Sequence, residues 1–234
     1  MSFALRLGPL IRGYQPDPGK RLVASYAYLP GGIAVCNAPM PINSVNGKLP
    51  DIQKGIGSSG VGGFGKWKTG YDGGTGLACD KASCVLGTSF TLIAVFDGSK
   101  TGSVLTPILG GDDSGNRQFQ FRLTASNTLE FIRFNTSGTN YSVSVAAASR
   151  RGVFIARSNG NSFDCFANGI KSSSGTIAAG SPQPVTKIAA NGKFSFDAAP
   201  QVGDEIYAYV GIPRELSLPE VMGISINPWQ VFAP

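Results

Sequence analysis

The chain has 234 residues, 42% of them apolar and only 15% charged, with a net charge of +6 at neutral pH. That length suits one large β domain or two small ones, and the apolar share rules out a disordered chain. The 32 glycines and 15 prolines demand many turns and exclude a helical protein.

Residues 1–54 carry six Lys/Arg against two Asp, a basic balance with no Lys/Arg run longer than two. A mildly basic, solvated segment accounts for this better than a nucleic-acid surface. Short apolar pieces alternate here with Pro and Gly, as in Gln15-Pro16-Asp17-Pro18-Gly19 and Pro30-Gly31-Gly32, and only Leu22 to Leu29 reads as a strand. Phe3, Leu5, Leu7, Leu10 and Ile11 make the segment too apolar for a disordered tail. The expectation is an extended arm over 1–54 that either lies along a neighbouring subunit or folds back on its own domain at 55–234. Met1 to Leu10 has no long apolar core and reads as no secretory signal. No stretch reaches the apolar length of a membrane span. Cys36, Cys79, Cys84 and Cys165 then read as reduced thiols of a chain made in the cytoplasm.

Residues 55–76 hold ten glycines. Gly60 to Lys66 fits a GxxxxGK pattern, but Trp67 stands where a phosphate-binding loop needs Ser or Thr for Mg²⁺. No helical pattern follows, so the nucleotide reading is rejected in favour of a loop before a strand.

From Ser89 the pattern becomes strands separated by turns. Phe90 to Phe96 (FTLIAVF) is almost wholly apolar, as expected of a central strand. Val104 to Leu109 follows, then a predicted polar turn over Gly110 to Asn116. Gln118 to Leu123 alternates, placing Phe119, Phe121 and Leu123 on one face. Leu129 to Phe134 has apolar residues on both faces, with Arg133 ending the face of Leu129 and Phe131. Asn-Gly pairs at 159–160, 168–169 and 191–192 mark hairpin turns. Arg150-Arg151 falls in a turn and reads as solvated. Glu205 to Ile212 is the last long strand. Roughly ten strands at turn-punctuated spacing indicate an all-β sandwich or barrel.

The chain closes on one short helix. Ser217 and Glu220 have the spacing of a capping box, Pro219 is tolerated in a first turn, and Gly223 limits the helix to about two turns. Asn227-Pro228 ends it. Trp229 and Phe232 read as structural anchors, because terminal segments stay ordered only where something ties them down.

The tail pattern Leu216-Ser217-x-x-Glu220-Val221 followed by Asn227-Pro228-Trp229-Gln230-Val231-Phe232 resembles that of laminin G-like, concanavalin A-like domains of tailed-phage structural proteins. The strand–turn–strand stretch Phe163 to Lys171 (FDCFANGIK) is similar to the same family. The resemblance spans about Tyr71 to Phe232 and leaves 1–54 uncovered; Pro219 and Gly223 depart from its helix. It implies an antiparallel concanavalin A-like β-sandwich (jelly roll) with one short C-terminal helix. It also implies a virion protein of the capsid surface or tail, acting through contacts with capsid or tail proteins and forming a homo-oligomer.

The residues themselves point away from catalysis. There is no histidine, which removes Ser-His and Cys-His pairs. A glycosidase needs two carboxylates flanking a sugar bond, but no strand carries acids two or four apart, and Glu130 and Asp164 each stand alone on their strands. The expectation is a non-enzymatic protein. Its alternative role is a host-glycan-binding module of a tail fibre, with Trp67 and Tyr71 as stacking candidates. Calcium is the one cofactor considered. The resemblance suggests it, and Asp112 and Asp113 sit in an oxygen-rich loop, although a polar hairpin turn explains that loop better.

Overall fold

The structure, a computed structural model, describes residues 34–37, 42–43, 51–52, 67–68, 77–78, 85–99, 105–113, 116–186, 188–190 and 205–228. Its strands, in chain order, are β1 (Ala34–Asn37), β2 (Ile42–Asn43), β3 (Asp51–Ile52), β4 (Trp67–Lys68), β5 (Leu77–Ala78), β6 (Ser89–Asp97), β7 (Thr106–Asp113) and β8 (Asn116–Leu123). There follow β9 (Thr128–Phe134), β10 (Asn140–Ala146), β11 (Arg151–Asn159), β12 (Ser162–Ala167), β13 (Ile170–Lys171), β14 (Gly175–Thr176), β15 (Ala189–Ala190) and β16 (Glu205–Ile212). The single helix among the described residues is α1 (Leu218–Ile226).

The strands form two antiparallel sheets of a β-sandwich. One runs β13-β12-β11-β6-β16-β1-β2, with β14 on β12 and β4 on β16; the other runs β10-β9-β8-β7-β15-β5-β3. β1 lies within the predicted arm and pairs with β16 through Ala34↔Gly211 and Val35↔Val210. Its other two residues, Cys36 and Asn37, pair with β2. The strand expected over Leu22 to Leu29 and the boundary at 54/55 lie outside the described residues.

Alternation builds the core. Phe119, Phe121 and Leu123 of β8, Leu129 and Phe131 of β9 and Val143 of β10 turn inward, where they meet Phe90, Leu92, Phe96, Phe154 and Phe163 of the first sheet. Phe131 stands at the centre, edge-on to Phe163 at 5.8 Å, Phe121 at 5.9 Å and Phe90 at 6.4 Å between ring centroids. Each such fully buried ring contributes about 1.5–3 kcal/mol from its removal from water.

The first sheet is buried on both faces, which explains the unbroken apolar run of β6. Its outer side presents Ile93, Val95, Val153, Ile155, Phe166, Val210 and Ile212, and Leu216, Val221 and Ile224 close over them. A polar row fixes the segment that leads into α1. Thr91 Oγ1 donates to Arg214 O at 2.9 Å and accepts from Leu216 N–H at 2.9 Å. Arg157 donates to both oxygens of Asp164, at 2.8 and 2.6 Å, and to Leu216 O at 2.6 Å. At the helix start, Glu220 accepts from Ser217 N–H at 2.7 Å and from Arg214 Nη2 at 2.8 Å. The helix is nine residues long, half a turn more than Gly223 led us to expect.

Three expectations need correction. The turn after β7 is shorter than the predicted 110–116, because the strand itself runs on to Asp113 before turning back at Asn116. The β11–β12 hairpin centres on Gly160-Asn161, one residue later than the Asn159-Gly160 pair, with Gly160 at φ 60°. At Asn168-Gly169 both residues do have positive φ, 51° and 85°, as a type I′ turn requires. Arg150 is buried rather than solvated: it donates to Gly98 O at 2.9 Å, Thr124 O at 2.9 Å and Thr106 Oγ1 at 2.7 Å, joining the end of β6, the start of β7 and the end of β8. Arg151 is the solvated member of the pair, 69% exposed, with Asp97 3.7 Å away.

Candidate functional site

Because Phe119, Phe121, Leu129, Phe131 and Val143 face the core, the alternate residues of β8, β9 and β10 share the outer face of the second sheet. Strand register sets them in rows. Arg122 lies opposite Glu130, and Glu130 lies opposite Ser144. One step along, Gln120 lies opposite Ile132, and Ile132 opposite Ser142.

Arg122 Nε donates to Glu130 Oε2 at 2.7 Å, and Arg122 Nη1 donates to Gln120 Oε1 at 3.1 Å. These bonds hold three long side chains in one arrangement over a rigid sheet. Arg122 and Glu130 are 28% and 20% exposed, so their outer atoms reach solvent while their stems are packed. Ser142 and Ser144 of the outlying strand β10 are exposed beside them. The result is a shallow polar strip, open towards β10, that offers donors and acceptors in fixed positions. Such a strip can hydrogen-bond a polyhydroxylated ligand without ordering any new side chain, which lowers the entropic cost of binding.

The other charged clusters lack this access. Asp164 is 6% exposed and is enclosed by Arg157 and by Lys171 Nζ at 3.1 Å. Arg133 is fully buried. It donates to Gln118 O and Gln183 O, both at 2.9 Å, and burial lowers its pKa to about 10. Burial also raises the Cys165 thiol to about 12. Among the described residues, no group of three His, Cys, Asp or Glu could hold a metal ion.

The residues proposed from sequence are described only in their backbones or not at all. Trp67 pairs through its backbone with Ile206 of β16, while its side chain, Tyr71, Trp229 and Phe232 lie outside the described residues. Asp112 and Asp113 pair with Arg117 and Asn116 at the end of β7; their side chains also lie outside. Tyr141 is the one aromatic ring among the described side chains that is not buried. The strip itself was half visible in the sequence. The alternation of QFQFRL turns Gln120 and Arg122 outward, but it cannot say that Glu130 and Ser144 stand across from them.

No family model matches the sequence, and no curated protein does. Solved structures do. The binding domain of botulinum neurotoxin serotype D is similar with a TM-score of 0.59 and 11% identity, over 84% of this chain and 51% of that one. The serotype D ligand binding domain in complex with N-acetylneuraminic acid gives 0.58 and 10%, over 88% and 52%. The binding domain of botulinum neurotoxin DC in complex with rat synaptotagmin II gives 0.56 and 11%, over 84% and 50%. The chain thus spans about half the length of these three structures. The likeness is one of fold, the β-sandwich of binding domains.

Proposed function

We propose that this protein is a non-enzymatic glycan-binding module whose contact surface is the outer face of β8, β9 and β10. The observation that carries the reading is the bonded set Gln120–Arg122–Glu130 with the exposed Ser144 beside it, a fixed polar strip that is buried at Gln120 and open towards β10. The fold supports it, since one similar sandwich binds N-acetylneuraminic acid. Fold alone does not fix function, so the strip must answer for itself. Binding of the purified protein to an oligosaccharide array, repeated with Arg122→Ala, tests it. Glycan binding that falls with the substitution supports the reading; an array without signal sinks it.

The setting we propose is the virion of a tailed phage, with the protein made in the host cytoplasm and acting as a tail-fibre or receptor-binding component. That setting rests on the sequence resemblance of the Asn227-Pro228-Trp229-Gln230 tail. Quantitative mass spectrometry of purified particles tests it. A low copy number fits a tail component, a copy number near that of the major capsid protein fits decoration, and absence from particles removes the setting.

One observation favours a second reading, a structural role through contacts with capsid or tail proteins or with further copies of this chain. Leu218, Met222 and Ile226 are exposed by 47%, 38% and 83% along one side of α1, and an apolar helix stripe of this kind suits a protein partner. Impaired particle assembly with unchanged glycan binding in Ile226→Ser would support it.

A further inference from the structure

We infer that the strip selects neutral sugars, through a pair of adjacent hydroxyls, and disfavours acidic ones; the inference rests on the glycan reading above. Arg122 is the one cationic side chain on this face of β8–β10 among the described residues. Its charge is already answered by Glu130 at 2.7 Å, and its Nη1 by Gln120. Among the described residues, Arg122 Nη2, a donor, and Glu130 Oε1, an acceptor, have no protein partner, on two groups held together by their own hydrogen bond.

A sugar hydroxyl both donates and accepts. One hydroxyl can therefore accept from Arg122 Nη2 while its neighbour donates to Glu130 Oε1, with the exposed Ser144 hydroxyl in register alongside. Both bonds involve an ionised group and are the stronger kind. A sugar carboxylate approaching Arg122 would meet the Glu130 carboxylate bonded to the same guanidinium. Like charges brought together in this way reject the wrong ligand.

The test is a glycan array carrying neutral and sialylated oligosaccharides, read with wild type, Glu130→Gln, Arg122→Gln and Ser144→Trp, each checked for fold by circular dichroism. Wild type is expected to bind neutral members at least about tenfold more tightly than sialylated ones, the size of effect that one charge-assisted hydrogen bond supplies. Glu130→Gln leaves the Arg122 charge unanswered and is expected to gain sialylated binding by a similar factor. Ser144→Trp alters only an exposed side chain beside the strip and is expected to lose neutral binding even if the Arg122 and Glu130 variants fold poorly. Preference for sialylated glycans in wild type, or no gain in Glu130→Gln, overturns the inference while leaving the glycan reading standing. No binding to any member overturns both.

Discussion

The guanidinium of Arg133 lies 4.7 Å from the centroid of the Phe90 ring, fully enclosed between the two sheets and bonded only to carbonyl oxygens. Its Nε has no partner. A ring face attracts a cation, and more strongly when water is excluded, while the carbonyls of Gln118 and Gln183 take two of its donors. Through the second bond Arg133 ties the chain around Gln183 to β9. Arg133→Ala should cost about 3–5 kcal/mol, since it opens a cavity and strips two buried carbonyls of their donor. Arg133→Met fills the space and should cost less, because replacing a buried charge by an apolar side chain of similar volume removes a desolvation penalty. Urea unfolding of the two variants checks the order.

The Arg157–Asp164 pair behaves differently, because each partner needs the other. Asp164→Ala leaves Arg157 as a buried charge without its carboxylate and should destabilise by about 3–5 kcal/mol. The double variant Arg157→Met with Asp164→Leu should recover much of that loss. Chemical denaturation of the single and double variants measures it, and equal losses in both would show that the pair is not the source.

Glu220 supplies a pH dependence. Arg214 and the Ser217 backbone and hydroxyl lower its pKa to about 2 from an ordinary 4.5. The folded state therefore holds its proton more weakly than the unfolded state does. Its contribution is present above about pH 4.5 and is lost as pH falls towards 2. Hydrogen exchange of the α1 amides should accelerate over that window, and Glu220→Gln should flatten the response.

Cys165 faces the core, fully buried, and its thiol is raised to about 12 by burial. The thiolate is the reactive form, so Cys165 should resist alkylation at pH 8 in the folded protein and react once urea unfolds it. Peptide mapping after pulse alkylation reads this residue apart from the other cysteines. Modification of Cys165 in native buffer would contradict the buried placement.

Several elements were legible because they are local. The apolar run of β6, the Asn168-Gly169 turn, the inward alternation of Phe119 and Phe121, and the Ser217-x-x-Glu220 helix start each depend on neighbours within a few residues. Arg150 was misread because a charged side chain is ordinarily exposed, and the oxygens that satisfy it come from distant stretches of the chain. It draws on Gly98, Thr106 and Thr124.

By itself, then, the sequence determined an all-β fold, sandwich or barrel, closed by a short helix, because strand alternation and turn chemistry are written in adjacent residues. Only the tertiary structure decided where its chemistry stands. Glu130 and Asp164 are each alone on their strands, and register brings Arg122 and Arg157 opposite them. Register is fixed by which faces must be buried together. That condition belongs to the whole sandwich, so a single strand cannot reveal that one ion pair is buried beneath α1 and the other reaches solvent on an open face.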